Sequence, residues 1–196
     1  MTFKILSIST VILAFLAFKP VATETFKVDT KASSIEWVAG KIGGSHSGTI
    51  QLASGSLAFE GKSLKSGNFG IDMTSIVITD LKGNSNQNLL NHLKGDDFFS
   101  VAKNPASSFQ ITKVTSAGTD RVNITGNLII KGISNEITFP ATVKRANKTV
   151  VAVAKGVKVD RTKYDIKYRS KNFFSDIGDK AIDDEFELSI NLVAKK

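Results

Sequence analysis

His46 and His92 are the only imidazoles in the chain, and two adjacent carboxylates, Asp96 and Asp97, follow His92 closely. A metal would need these groups gathered from distant segments, because the chain has neither an H-x-H nor an H-E-x-x-H pattern. No metal site is expected on this basis. His92 falls on the polar side of a helical pattern and reads as solvated. His46 sits in GGSHSG, where residues without bulk let the backbone bend or approach another group closely. It reads either as a polar group at the mouth of a cavity or as an ordinary histidine at the start of a strand. Asp183, Asp184 and Glu185 form a second acidic run. Adjacent carboxylates on a turn point in different directions, whereas glycoside hydrolysis needs two held across a cleft. The chain contains no cysteine, which removes disulfides, thiol nucleophiles and thiolate metal sites. It also lacks a G-x-S-x-G elbow and a Gly-rich phosphate loop. The residue types therefore argue against an enzyme and against a cofactor. The catalytic alternative that survives is a hydrolase using His46 with a carboxylate.

The other conspicuous supply is aromatic. Of 13 phenylalanines, Phe69, Phe98, Phe99, Phe109, Phe173 and Phe174 recur near the ends of patterned segments. Most segments alternate with period two. IEWVAGK sets Ile35, Trp37 and Ala39 on one side; GNFGIDM sets Gly67, Phe69, Ile71 and Met73 together; SFQITKV sets Phe109 and Ile111 opposite Gln110 and Thr112. DRVNITGNLII and EITFPATV follow, joined by KGISN, a turn of hairpin type, and DEFELSINLVA aligns Phe186, Leu188, Ile190 and Leu192. VDRTKYDIKYRS reads as a further strand, with Tyr164, Ile166 and Tyr168 on one face and Lys163, Asp165, Lys167 and Arg169 on the other. MTSIVITD reads as a turn. About eight to ten short strands predict an antiparallel sandwich or barrel. One helix breaks the rhythm over about residues 84–94, where Leu89, Leu90 and Leu93 fall at helical spacing; Asn84 or Ser85 is placed to cap it and Gly95 to end it. A barrel of about eight strands either fills its interior or encloses one small ligand, and periodicity does not decide which.

The first 22 residues carry an early lysine, Lys4, and an apolar run from Ile5 to Phe18. They read as a secretory signal peptide ending at Ala22, although Pro20 is not the small residue such a site usually has. Residues 23–196 then form a single domain, periplasmic or secreted. Without Lys4 and Lys19 the chain keeps 24 basic residues against 18 acidic, a net charge of +6. Ten basic residues fall between Lys144 and Lys171. They are spaced at strand intervals among apolar residues, which reads as a solvated sheet face and not as a nucleic-acid site. Transient attraction to an acidic membrane surface is compatible with them. Asn123-Ile124-Thr125 and Asn147-Lys148-Thr149 match glycosylation sequons, a pattern common by chance.

An ordered set of stretches resembles the YceI-like family. They are FKVDTKASSIEWVAGKIGGSHSGTI, LLNHLKGDDFFSVAKNPASSFQIT, VNITGNLIIKGISNEITFPATV, VDRTKYDIKY and IGDKAIDDEFELSINL. The resemblance implies an all-β, antiparallel, roughly eight-stranded lipocalin-like barrel, partly closed by the helix. It implies a long apolar pocket holding an isoprenoid lipid, such as a quinone or its precursor, for carriage, storage or protection. Within such a barrel, Trp37, Phe69, Ile71, Phe98, Phe99, Phe109, Ile111, Tyr164, Ile166, Tyr168, Phe173 and Phe174 are expected to line the cavity. His46, Arg161 and Arg169 are assigned to the ligand head from their chemistry alone. Two copies could pair through a wide mouth, although nothing in the sequence requires a homodimer. The rival reading is an envelope stress or interaction protein with a filled core.

Overall fold

The computed structural model describes residues 22–196, so the expected signal segment lies outside the described residues up to position 21. Nine strands and one α-helix follow in the order β1 (Thr23–Val28), β2 (Ser34–Lys41), β3 (Gly44–Glu60), β4 (Ser63–Ile78), α1 (Gly83–Lys94), β5 (Ala106–Ser116), β6 (Arg121–Ile130), β7 (Ile133–Ala146), β8 (Thr149–Asp160) and β9 (Ile182–Lys195). All pairings are antiparallel. The ring runs β3–β2–β9–β8–β7–β6–β5–β4 and returns to β3, which closes the barrel. Strand β1 does not add a ninth position. It pairs with β3 and β9, as β2 does, but further along both. The two are one strand interrupted at residues 29–33, where the Asp29 carboxylate accepts from Ala32 N and Ser33 Oγ donates to Asp29 O. Eight positions abolish every open edge.

Local chemistry accounts for the strand faces. In β6, alternation sends Ile124, Leu128 and Ile130 inward. The β6–β7 turn is the hairpin expected at KGISN. Lys131 and Gly132 both have positive φ, 51° and 75°, as a two-residue type I′ turn requires. Two expectations are corrected. MTSIVITD is not a turn but the end of β4, with a bulge: Asp72 Oδ1 accepts from Thr74 N and Thr74 Oγ1, and the β3–β4 register slips there. The slip changes the face parity, so Met73 and Ile76 both point inward. VDRTKYDIKYRS is not a strand beyond Asp160. The Asp160 side chain accepts from Thr162 N at 2.9 Å and Thr162 Oγ1 at 2.6 Å, nucleating a 3-10 turn over Arg161–Tyr164 that closes on Asp165 in the left-handed region. A local side-chain bond here wins over the period-two pattern.

Helix α1 covers one end of the barrel. It begins at Gly83, one residue before the expected position, with Lys82 at the N-cap and no side-chain cap, neither Asn84 nor Ser85 filling that place. Asn86 instead donates to Ile78 O and Leu81 O, tying the first turn to the end of β4. Gly95 ends it with extended backbone and not in the left-handed conformation. No residue of α1 is fully buried; Leu89, Leu90 and Leu93 rest on a cluster built from Trp37, Met73, Ile76, Ile78 and Val101.

The opposite end is plugged. Phe26 and Phe59 meet edge to face at 5.4 Å, and both are buried, as are Val150 and Ala194. The Arg145 guanidinium lies 4.7 Å over Phe26 and 5.3 Å from Phe59. It donates to Gly61 O at 2.6 Å and pairs with Glu24 at 2.8 Å. Glu24 also holds Lys196, and hydrogen bonds from Arg145 and then Lys196 keep its carboxyl down at about 2.

Candidate functional site

A cavity of about 200 Å³ occupies the barrel interior between the plug and the helix. Every strand of the ring contributes to its wall, along with Leu93 of α1 and Phe98 and Phe99 of the following loop. Ser107, Arg161 and Asp183 are the polar residues of that wall; the rest are aliphatic or aromatic. The cavity stops on Leu57, Leu64, Ala141, Ala152 and Leu192, and the plug residues themselves do not reach it.

Aromatic rings cross its middle. Phe69 stacks with Phe109 at 6.3 Å, and Phe109 meets Phe139 at 5.6 Å. Phe109 and Phe139 stand on β5 and β7, with β6 between them. Gly126 of β6 makes the contact feasible, since a Cβ there would collide with the Phe109 ring. Gly48 plays the same part for Trp37, which lies across it in register. That is the close approach which GGSHSG suggested in the sequence.

Of the residues expected at the wall, Trp37, Phe69, Ile71, Phe98, Phe99, Phe109, Ile111 and Ile166 line the cavity. Four do not. Tyr164 is fully buried, but it packs outside the cavity with Phe98, Leu128, Ile130, Val159 and Ile166, because the 3-10 turn redirects it. Tyr168 packs beside His92 and Phe98, at 4.7 and 5.6 Å. Phe173 and Phe174 are each 49% exposed, carried outward on the loop between β8 and β9.

The Tyr164 hydroxyl has no partner, and burial, then Asp160, pushes its pKa up to about 12. A buried, unpaired hydroxyl lowers stability. Tyr164→Phe is therefore expected to raise stability by about 1 kcal/mol in urea unfolding; a loss of that size would show that the hydroxyl is satisfied in the folded state.

Of the three residues assigned to a ligand head, only Arg161 reaches the cavity. Its guanidinium is almost fully engaged elsewhere. It donates to Asp183 O, Ile166 O and Ile182 O at 2.9, 2.7 and 3.0 Å, and meets Asp184 Oδ1 at 3.4 Å. It therefore clamps the turn after β8 to the start of β9. Burial lowers its pKa, while Asp184, Asp160 and Asp183 oppose that shift. Arg169 has positive φ in the same loop and lies against the Tyr168 ring at 5.1 Å, away from the wall. His46 is also away from the wall. Its Nδ1 pairs with Asp80 Oδ2 at 2.8 Å, and Ser47 N donates to Asp80 Oδ1. Burial works to raise the Asp80 carboxyl, but the Ser47 N–H and His46 outweigh it and hold it below its usual range. His92, read as solvated, is instead held edge-on between Phe98 and Tyr168 and bonded to Asp97 Oδ2 at 3.1 Å. Among the described residues, no three or more His, Asp or Glu side chains are grouped to hold a metal.

Sequence reasoning did not single out Ser107 or Asp183 for the wall. Ser107 is the second residue of β5, paired opposite Ile71, a position that looks like an ordinary strand start until the barrel closes.

The fold and cavity define a closed antiparallel barrel of eight positions with an apolar interior and one helix-covered end. A family model described as YceI-like domain matches residues 26–194, and the chain belongs to that family. A UPF0312 protein of Pseudomonas putida (strain W619) is 25% identical over 150 residues, covering 75% of this chain and 74% of the relative. A UPF0312 protein of Pseudomonas aeruginosa (strain LESB58) is 42% identical over 50 residues, a stretch that spans only 26% of each protein. Among solved structures, Burkholderia cenocepacia BcnA superposes with a TM-score of 0.69 at 22% identity, covering 86% of this chain and 99% of that one. A polyisoprenoid binding domain from Saccharophagus degradans, implicated in plant cell wall breakdown, gives a TM-score of 0.61 at 13% identity, over 87% of this chain and 97% of that one. At these identities the two structures share the fold.

Proposed function

We propose that this protein binds an isoprenoid lipid, such as a quinone or a precursor of one, inside the barrel, outside the cytoplasm, and shields or carries it without catalysis. The observation that carries the reading is the continuous apolar cavity running from the plug to the helix. A filled core, as the interaction-protein reading requires, would leave no such space. The description of the Saccharophagus degradans domain as polyisoprenoid binding supports the same chemistry. Each buried CH₂ is worth about 0.8 kcal/mol, so tail burial alone supplies affinity.

Size constrains how this would work. At about 200 Å³ the space falls below the ~300–1,000 Å³ of a typical small-molecule pocket. A long tail therefore needs the wall to yield. Helix α1, with no fully buried residue, is the element with least to lose by moving. Protein purified without detergent and extracted with organic solvent should release an isoprenoid detectable by mass spectrometry. Absence of any lipid, together with no uptake of added quinone, would end this reading.

We assign any transient contact with a bilayer to the helix-covered end. Phe173, Phe174, Ile42 and Ile133 are exposed there; the same loop and turns carry Lys131, Lys163, Lys167, Arg169 and Lys171 together with Asp165, Asp176 and Asp179, and Lys167 lies 5.2 Å from the Phe173 ring while pairing with Asp165 at 2.8 Å. Ile42 N donates to Ala181 O and Lys131 Nζ to Asp165 O, which ties the neighbouring turns to this loop. Exposed aromatics beside lysines suit an anionic membrane surface. In flotation with vesicles containing phosphatidylglycerol, the double variant Phe173→Ser, Phe174→Ser should bind about tenfold less than the unaltered chain. Equal flotation would remove the membrane from the proposal. Pairing of two copies through this surface would instead appear as a dimer in gel filtration that the same variant dissolves.

A further inference from the structure

Helix α1 is fastened on one side only. Beyond its own turns, its hydrogen bonds go to residues 74–82 and 95–101, the chain that enters and leaves it. Asn86 donates to Ile78 O and Leu81 O, and Lys94 Nζ to Thr74 O at 2.7 Å. His92 bonds to Asp97, while Phe99 N and Val101 N donate to Leu93 O and Lys94 O. Among the described residues, no hydrogen bond of α1 reaches β6, β7, β8, β9 or the loop between β8 and β9. Gly83 opens the helix at φ 59°, a left-handed value that glycine adopts without strain, and Gly95 follows its last turn.

The far rim offers a catch. The His92 ring stands edge-on to Tyr168, with centroids 4.7 Å apart and planes at 83°. Tyr168 lies where the β8–β9 loop is pinned to the barrel. Ile166 and Ser170 on either side of it are fully buried, Ile166 O accepts from Arg161, and Arg169 O accepts from Ile182 N. A fixed ring on the barrel thus meets a ring on a loosely held helix. Neither His92 nor Tyr168 lines the cavity, but Phe98 does, and it touches the two rings at 4.9 and 5.6 Å. The pair therefore sits directly outside the wall. Leu93, next to His92 on α1, is part of that wall. Swinging α1 away from the loop would withdraw Leu93 and open the interior on that side, while the Asn86 and Lys94 bonds keep the helix on β4.

We infer that α1 is a lid hinged along β4 and that the His92–Tyr168 contact is its latch, so that a lipid enters and leaves between α1 and the β8–β9 loop. This rests on the lipid-binding reading and deepens it by naming the contact that governs exchange. The latch sets how fast a ligand passes and not how tightly it is held, because both rings stand outside the space a tail would fill.

Trp37 is the one tryptophan of the chain and lines the cavity, so quenching of its fluorescence reports the arrival of a quinone. Stopped-flow mixing of the delipidated full chain with a ubiquinone of two isoprene units gives the entry rate, and dilution into lipid vesicles gives the release rate. His92→Ala and Tyr168→Ala should each speed both steps about fivefold and leave the Kd unchanged; fivefold is ~1 kcal/mol at 1.4 kcal/mol per tenfold, the range of one edge-to-face contact. The double variant should be no faster than either single one, since both remove the same contact. His92→Phe and Tyr168→Phe keep a ring and should keep the original rates. With no lipid present, amide hydrogen exchange over residues 83–94 should quicken in the alanine variants while the strands stay unchanged. Unaltered rates or unaltered helix exchange in the alanine variants, additive effects in the double variant, or faster release matched by weaker affinity would overturn the latch alone. Failure of the quinone to bind the unaltered chain would overturn it together with the lipid-cavity reading.

Discussion

Arg161→Leu should destabilise the fold by about 3 kcal/mol, the range found when one member of a buried charged network is removed. Arg161 is 4% exposed, and its guanidinium satisfies the carbonyls of Ile166, Ile182 and Asp183 together with the Asp184 carboxylate. Leucine keeps the apolar stem but strands all four acceptors. For a chain of this size, ~3 kcal/mol lowers the melting temperature by roughly 6–12 °C. Asp184→Asn should cost far less, since its contact is the longest of the four at 3.4 Å. The variant also separates two roles. If Arg161 only clamps the turn, lipid bound per folded molecule stays unchanged; if it grips a ligand head, that ratio falls as well. An unchanged melting temperature would show that the clamp carries no stability.

The second large effect concerns occupancy. Ala154 of β8 lines the cavity, and its neighbour across the ladder is Ile190. Ala154→Trp places an indole in the space where a tail would lie. If that displaces about four tail carbons, ~3 kcal/mol of burial is lost, or roughly a hundredfold in affinity. The melting temperature should fall only slightly, because the ring fills open space and does not overpack a dense core. Val151→Trp on the same strand, at an exposed position, is the control and should leave uptake intact. Undiminished lipid binding by Ala154→Trp would mean that the interior is not the binding site.

These expectations draw on features of unequal visibility in the sequence. The inward set Trp37, Phe69, Phe109 and Ile111 follows from alternation, because a strand with one wet and one dry face must place its apolar residues at every second position. The helix was legible from Leu89, Leu90 and Leu93. The turn after Asp160 was not, because the Asp160–Thr162 bond acts over two residues and leaves an alternating pattern intact while the backbone leaves the sheet. It carried Tyr164 out of the wall and left Ile166 in it. The His46–Asp80 pair joins residues 34 apart, and Arg145 of the plug reaches Gly61, 84 residues away, and the still more distant Phe26. Contacts of that kind depend on barrel closure and leave no local trace. The solitude of Trp37 Nε1 and Ser107 Oγ is likewise a property of the assembled wall: each residue type commonly finds a partner, and only the surroundings show that these two have none.

The plug of Phe26, Phe59 and Arg145 makes the barrel a blind tube. Traffic in a blind tube is single file through one opening, so an arriving molecule cannot push out the resident from behind. On the proposed reading, exchange must pass through the vacant protein, and its rate is set by departure alone. Raising the concentration of a competing lipid would then shift the final occupancy without hastening the first release.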